Sequence, residues 1–137
     1  MFRIETPRLM LRDLIDNDWE IIHQLGLDEK VTRFMADYIK VKNEEEAKVW
    51  VSERIGYNSQ NPRESYNLAI TRKDDNKVIG WIGVGKPDDP AVTAKEISEV
   101  GDLDFGYAIK PEYWGSGYAS EALIALIRFC FSLPRIK

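Results

Sequence analysis

The sequence predicts an α/β (α+β) domain in which helices flank a central sheet, and three observations carry that expectation. Tyr66–Thr71 and Lys77–Val84 are β-rich runs joined by the polar turn Arg72-Lys73-Asp74-Asp75-Asn76, which is hairpin chemistry. Apolar residues recur at helical spacing in the segments from Asp16 to Leu25 and from Asn43 to about Tyr57. Asp104–Ile109 reads as a strand that breaks at Lys110-Pro111. It passes through the glycine loop Trp114-Gly115-Ser116-Gly117-Tyr118-Ala119 into an apolar helix.

Composition narrows the function classes. A chain of 137 residues with 44% hydrophobic and 31% charged residues fits one globular domain with a real core. No apolar run reaches the roughly 18 residues a membrane helix needs, and Met1–Leu9 lacks the apolar centre of a signal peptide. The single cysteine, Cys130, can form no internal disulfide, so a cytoplasmic, reducing setting is expected. Its apolar helical neighbours mark it as buried filler. A net charge of −4 without a basic block argues against nucleic acid as the main partner.

In chain order, Arg8–Arg12 is the first strand. The helix from Asp16 to Leu25 has Asp16 as its cap and Asp18 and Glu20 in its first turn, where the helix dipole favours carboxylates. Ile15, Trp19 and Ile22 share its apolar face, and His23, the only histidine, lies one step off it as a surface residue. Residues 27–42 are mixed. In the next helix Asn43 and Glu46 have capping-box spacing, and Ala47, Trp50, Val51 and Ile55 form the buried stripe. Residues 58–63 are loop, and 85–91 are an excursion before a strand from Glu96 to Ile109 with a break at Gly101. The last helix, from about Gly117 to Leu133, has almost no polar face and reads as buried nearly all round. Arg135-Ile136-Lys137 opens a further strand.

A strand that ends in a glycine loop at a helix start aims unpaired N–H groups and the positive end of the helix dipole at an anion. The Lys-Ser or Lys-Thr of a nucleotide P-loop is missing after these glycines. The dinucleotide pattern fails at Ser120, and no acidic residue follows about 20 positions on. By itself the loop serves equally well as a plain strand-to-helix turn.

Four stretches change that balance. They are Glu5-Thr6-Pro7-Arg8-Leu9-Met10-Leu11-Arg12, Asp28–Met35, Val78-Ile79-Gly80-Trp81-Ile82-Gly83, and Phe105–Ile109 running on through Tyr113–Ala122. In this order they resemble the GNAT superfamily of N-acetyltransferases, and within it the Rim-type ribosomal-protein N-terminal acetyltransferases. Trp114–Ala119 matches the acetyl-CoA loop [Q/R]xxGx[G/A] except at its first place, where Trp114 stands for Gln or Arg. The resemblance implies a mixed, mostly antiparallel central sheet flanked by helices. It also implies a single domain over 1–137 that stops after the loop helix, short of the C-terminal part of the fold. In the family a further strand runs parallel to 104–109 and splays away from it, so this chain holds one wall of the pantetheine gap. Another chain, such as a second copy in a homo-oligomer, could complete the sheet edge, and the isolated chain is expected to be a poor catalyst.

The resemblance further implies acetyl-CoA as acetyl donor and a primary amine, of a protein N-terminus or a small molecule, as acceptor. Pantetheine would bond the main chain of Tyr107, Ala108 and Ile109, where a bulged strand would offer an N–H to the acetyl oxygen. The pyrophosphate would take N–H groups of Trp114, Gly115, Ser116, Gly117, Tyr118 and Ala119. The hydroxyls of Ser116 and Ser120 would add donors or serve as ordinary helix-start serines. Asp104 is the candidate base, deprotonating the amine through water, or else a solvated strand carboxylate. Glu96, Glu99, Asp102 and Asp104 would draw a cationic acceptor if they share a face, or else form a solubilising edge. Two other functions compete: an acyl-CoA-binding or partner-binding module without turnover, and an ATP-binding domain using the same loop.

Overall fold

The computed structural model describes residues 1–34, 39–85 and 104–133. Strands β1 (Arg3–Glu5) and β2 (Leu9–Asp13) lead into a 3-10 turn at Asp16–Asp18. Helices α1 (Trp19–Leu27), α2 (Glu29–Phe34) and α3 (Glu44–Asn58) follow, then β3 (Tyr66–Arg72), β4 (Lys77–Gly85) and β5 (Asp104–Ile109). A second 3-10 turn at Pro111–Tyr113 precedes α4 (Tyr118–Phe131). The five strands form one sheet in the order β1-β2-β3-β4-β5, antiparallel at every junction among the described residues. The expected α/β architecture of a mostly antiparallel sheet flanked by helices is what the chain adopts.

Strand alternation sorts side chains onto two cores. Ala69, Trp81 and Ala108 meet Ile22 and Leu25 of α1, Val31 of α2 and Trp50 and Val51 of α3. On the other face Leu9, Leu11, Leu68, Ile70, Ile82 and Ile109 meet Ala122, Leu126 and Cys130 of α4. The hairpin and the buried Cys130 are as expected. The β3–β4 turn closes at Asn76, whose φ of 57° suits asparagine.

The start of α1 departs from expectation. Asp16 makes no cap; Asp18 turns inward instead, accepting from the Ile15 N–H at 2.8 Å and from both Arg12 η-nitrogens at 2.9 and 3.0 Å. Asp18 is 4% exposed, and this fork-on-carboxylate pair stands in for the water it loses. Ile15, expected on the apolar face, is 38% exposed because it is still extended there, one residue before the 3-10 turn begins. Helix α3 starts as expected, with Asn43 Oδ1 accepting from the Glu46 N–H at 2.8 Å. The Glu46 carboxylate reaches the N–H of Lys42 at 3.1 Å rather than that of Asn43.

Helix α4 is also different. It buries Ala122, Leu126 and Cys130 against the sheet, but Ile124 is 49% and Phe131 71% exposed. One flank packs on the sheet, and no element among the described residues covers the other. The expected strand segment 96–103, its break at Gly101 and the segment 135–137 lie outside the described residues. No helix among the described residues is long and apolar enough to cross a membrane.

Candidate functional site

The site is laid out along β5. The Lys110 N–H bonds the Ile79 carbonyl at 3.0 Å, which sets the phase of the β4–β5 ladder. By alternation, the main-chain groups of Tyr107 and Ile109 turn away from β4, while those of Ala108 turn to it. The ladder pairs Asp104 through Ile109 with Gly85 through Gly80 without an extra residue, so the bulge expected in β5 is not there. Close approach comes from glycine instead: a Cβ at Gly80 would lie 2.2 Å from the Ala108 carbonyl oxygen. On its two faces β5 sends Ala108 to the helix-α1/α3 core and Ile109 to the α4 core.

After Ile109 the chain turns sharply. Pro111 opens the 3-10 turn, where its fixed φ fits and its missing N–H costs nothing. The Tyr113 and Trp114 N–H groups close onto the carbonyls of Lys110 and Pro111 at 2.9 and 3.0 Å. The Trp114 indole N–H caps the Ile109 carbonyl at 2.7 Å, and its ring packs on both cores. Trp114 therefore locks the end of β5, and its own amide is occupied. Gly115 and Gly117 both have φ of +82°, a conformation that L side chains disfavour.

Helix α4 then begins with Gly117 as its N-cap and no side-chain cap; its first main-chain bond is Glu121 N–H to the Gly117 carbonyl at 3.0 Å. The N–H groups of Gly115, Ser116, Gly117, Tyr118, Ala119 and Ser120 have no acceptor among the described residues. Gly115, Ser116, Gly117 and Ser120 are exposed. Consecutive open amides at the positive end of a 14-residue helix are an arrangement that can receive an anion.

Beneath the loop lies a brace that sequence reading missed. Glu121 accepts from the Thr6 hydroxyl at 2.5 Å, from the Arg8 N–H at 2.9 Å and from Arg8 Nε at 2.6 Å. Arg8 Nη1 also donates to the Ser116 carbonyl at 2.8 Å, and its guanidinium stacks on the Tyr118 ring at 4.4 Å. Burial alone would raise the Glu121 carboxyl; the Thr6 hydroxyl and the Arg8 N–H and guanidinium outweigh it and hold the group below the usual carboxylate range. A depressed folded value stabilises above the unfolded value of about 4.3 and is lost as pH falls through the folded one. The gap in unfolding midpoint between wild type and Glu121→Gln is therefore expected to be full at about pH 7 and to shrink as pH is taken progressively below about 4.3. An equal gap at both ends would contradict this.

Asp104 stands at the other end of β5, about 17 Å from Ile109 at the usual rise per residue. It is exposed and edges a cleft of about 250 Å³. Arg54, Tyr57, Glu64, Asn67 and Trp81 line the cleft, and Gly83, Gly85 and Gly106 leave its floor free of side chains. The loop thus follows one end of β5 and the cleft lies at the other. Glu96, Glu99 and Asp102 lie outside the described residues. His23 sits against Trp19 on α1, with ring centres 6.2 Å apart, and does not line the cleft.

Residues 8–137 match the acetyltransferase (GNAT) domain family. The chain belongs to that family. GNAT relatives include two proteins of Bacillus subtilis named as uncharacterized N-acetyltransferases. YnaD is 27% identical over 93% of this chain and 65% of its own length. YoaA is 29% identical over 94% of this chain and 66% of its own length. The chain thus spans about two thirds of the relatives it matches. Among solved structures, a GNAT-family acetyltransferase from Bacillus anthracis has a TM-score of 0.71 at 24% identity, covering 96% of this chain and 67% of that one. The ribosomal L7/L12 alpha-N-protein acetyltransferase RimL, in complex with coenzyme A, has a TM-score of 0.72 at 19% identity, covering 99% of this chain and 71% of that one. At such identities the likeness is one of fold. Within the GNAT domain, Arg8 lies in the first of the four stretches that carry the sequence resemblance and its partner Glu121, 113 residues away, lies in the last.

Proposed function

We propose that this GNAT chain binds acetyl-CoA and transfers its acetyl group to a primary amine, with the donor's diphosphate held by the amides of Gly115–Ser120. The observation that carries this reading is the run of open amides at a helix start that has no side-chain cap. Both glycines already have positive φ, which lets backbone approach an anion, and the Ser116 and Ser120 hydroxyls would add donors. The outward main chain of Tyr107 suits the amide-bearing pantetheine arm, with Ala108 keeping the strand on β4 and the Ile109 carbonyl held by Trp114. Trp114, whose amide is taken, serves by fixing the loop.

The thioester then lies towards Asp104. The amine gives up a proton to the Asp104 carboxylate through water, and its nitrogen attacks the thioester carbonyl. The C–N bond forms as the C–S bond breaks, leaving the N-acetyl product and CoA thiolate, which takes up a proton as the free thiol. The name of the RimL neighbour makes a protein N-terminus the first acceptor to try, and small amines the second. A lone buried Cys130 suits a reducing cytoplasm.

A second reading is a module that binds acyl-CoA or a partner, including another copy of itself, without turnover. The exposed Ile124–Phe131 flank of α4 and the place of β5 last in the sheet order among the described residues favour it. Calorimetry with acetyl-CoA, CoA and ATP, followed by a thiol-release assay over peptide N-termini and small amines, tests both. Binding of CoA but not ATP, with amine-dependent thiol release, is expected. ATP binding alone would overturn the donor assignment, and CoA binding without release for any amine would favour the second reading.

A further inference from the structure

Helix α4 carries a carboxylate, Glu121, in its first turn, beside the loop that the donor reading assigns to an anion. Such a carboxylate competes with an anionic ligand for the same positive potential. The structure shows how this one is occupied. Its two oxygens accept from the Thr6 hydroxyl, the Arg8 amide and the Arg8 guanidinium, all from the link between β1 and β2. That link is itself fixed: the Leu9 N–H bonds Thr6 Oγ1 at 2.9 Å and the Thr6 N–H bonds the Leu9 carbonyl at 2.9 Å. Glu121 is 16% exposed and Arg8 45%. The carboxylate is thus tucked under the loop while the cation reaches its rim. A Cβ on Gly117 would come within 3.3 Å of Arg8 Nη2.

We propose that Arg8 is a positioning residue for the anion loop: it neutralises Glu121 and holds the Ser116 carbonyl down, so that the loop offers amides rather than a carboxylate to the donor. Arg8 need not touch the ligand. The inference rests on the donor reading above and adds a specific demand, that the loop's affinity depends on a residue 108 positions before it. Neighbouring charges do not substitute for Arg8. Arg72 is engaged by Asp75 and lies over Tyr113, and Lys73 pairs with Glu5 at 2.7 Å.

The test is CoA titration by calorimetry, below the unfolding midpoint of every variant, at low and high salt. Arg8→Met is expected to weaken CoA binding at least about tenfold at low salt, with a smaller deficit relative to wild type at high salt, because the exposed Glu121 charge is then screened. A brace acting only through shape would give a salt-independent loss. Arg8→Met/Glu121→Gln is expected to recover most of the affinity, since the repelling charge is gone. Arg8→Lys, which keeps the charge and loses the fork, is expected to lose less than Arg8→Met. Should Arg8→Met not fold, the double variant, which leaves no unpaired carboxylate, carries the test against wild type: near-wild-type affinity supports the proposal and a tenfold loss overturns it. Wild-type affinity in Arg8→Met, or a double variant as weak as Arg8→Met, overturns it as well. A wild-type chain that binds no CoA overturns the donor reading and this inference together, whereas wild-type binding with Arg8→Met unaffected overturns only the inference.

Discussion

Gly117→Val should reduce CoA affinity by about a hundredfold or more while leaving the chain folded. Gly117 holds φ of +82° and ψ of 7° as the N-cap of α4. Valine there strains the backbone by about 1–2 kcal/mol, with β-branching adding to it, and relief comes by rotating φ negative. That rotation turns the Gly117 and Tyr118 amides out of the cradle, and the new side chain enters the space beside Arg8. Gly115→Ala is the matched control. A Cβ at Gly115 meets nothing within 4 Å, so only the strain at its φ of +82° acts, and a loss of about tenfold is expected. Calorimetry below the unfolding midpoint of both variants separates lost affinity from lost fold. Retained affinity in Gly117→Val would remove the loop from the diphosphate site.

Asp104→Asn should slow acetyl transfer by about a hundredfold or more and leave CoA affinity within about threefold of wild type, since a positioned base contributes roughly 10²–10⁴ in rate. Asparagine keeps the size and some hydrogen bonding of aspartate but takes up no proton. Asp104 edges the cleft at the far end of β5 from the loop, so the donor's phosphates should not register the change. The measurement is initial rate of thiol release against amine concentration, with CoA binding in parallel. An unchanged rate removes Asp104 as the base, and equal losses in rate and CoA affinity would point to a damaged fold.

What could be read from the chain was what local rules govern. The Asn43 cap of α3, the hairpin at 72–76, the β5 strand and the glycine turn depend on neighbours within a few residues. The misreadings share one cause. Asp18 looks like a solvated first-turn carboxylate until Arg12, on a strand, comes within 3.0 Å of it. Helix α4 is apolar enough to be buried all round, yet composition does not say which flank finds a partner, and Ile124 and Phe131 find none among the described residues. Arg8 and Glu121 are 113 positions apart, and only folding of β2 against β3 and α4 makes them a pair. Trp114 stands at the first place of a loop motif, but its indole serves the strand that precedes it.

The most direct measurement is titration of CoA into the isotope-labelled chain, following the main-chain amide resonances. Saturable shifts confined largely to Gly115–Ser120 and the β5 main chain at Tyr107, with inorganic pyrophosphate moving only the Gly115–Ser120 set, are the expected result. CoA binding that leaves the Gly115–Ser120 amides unmoved would contradict the cradle, and with it the transfer chemistry built upon it.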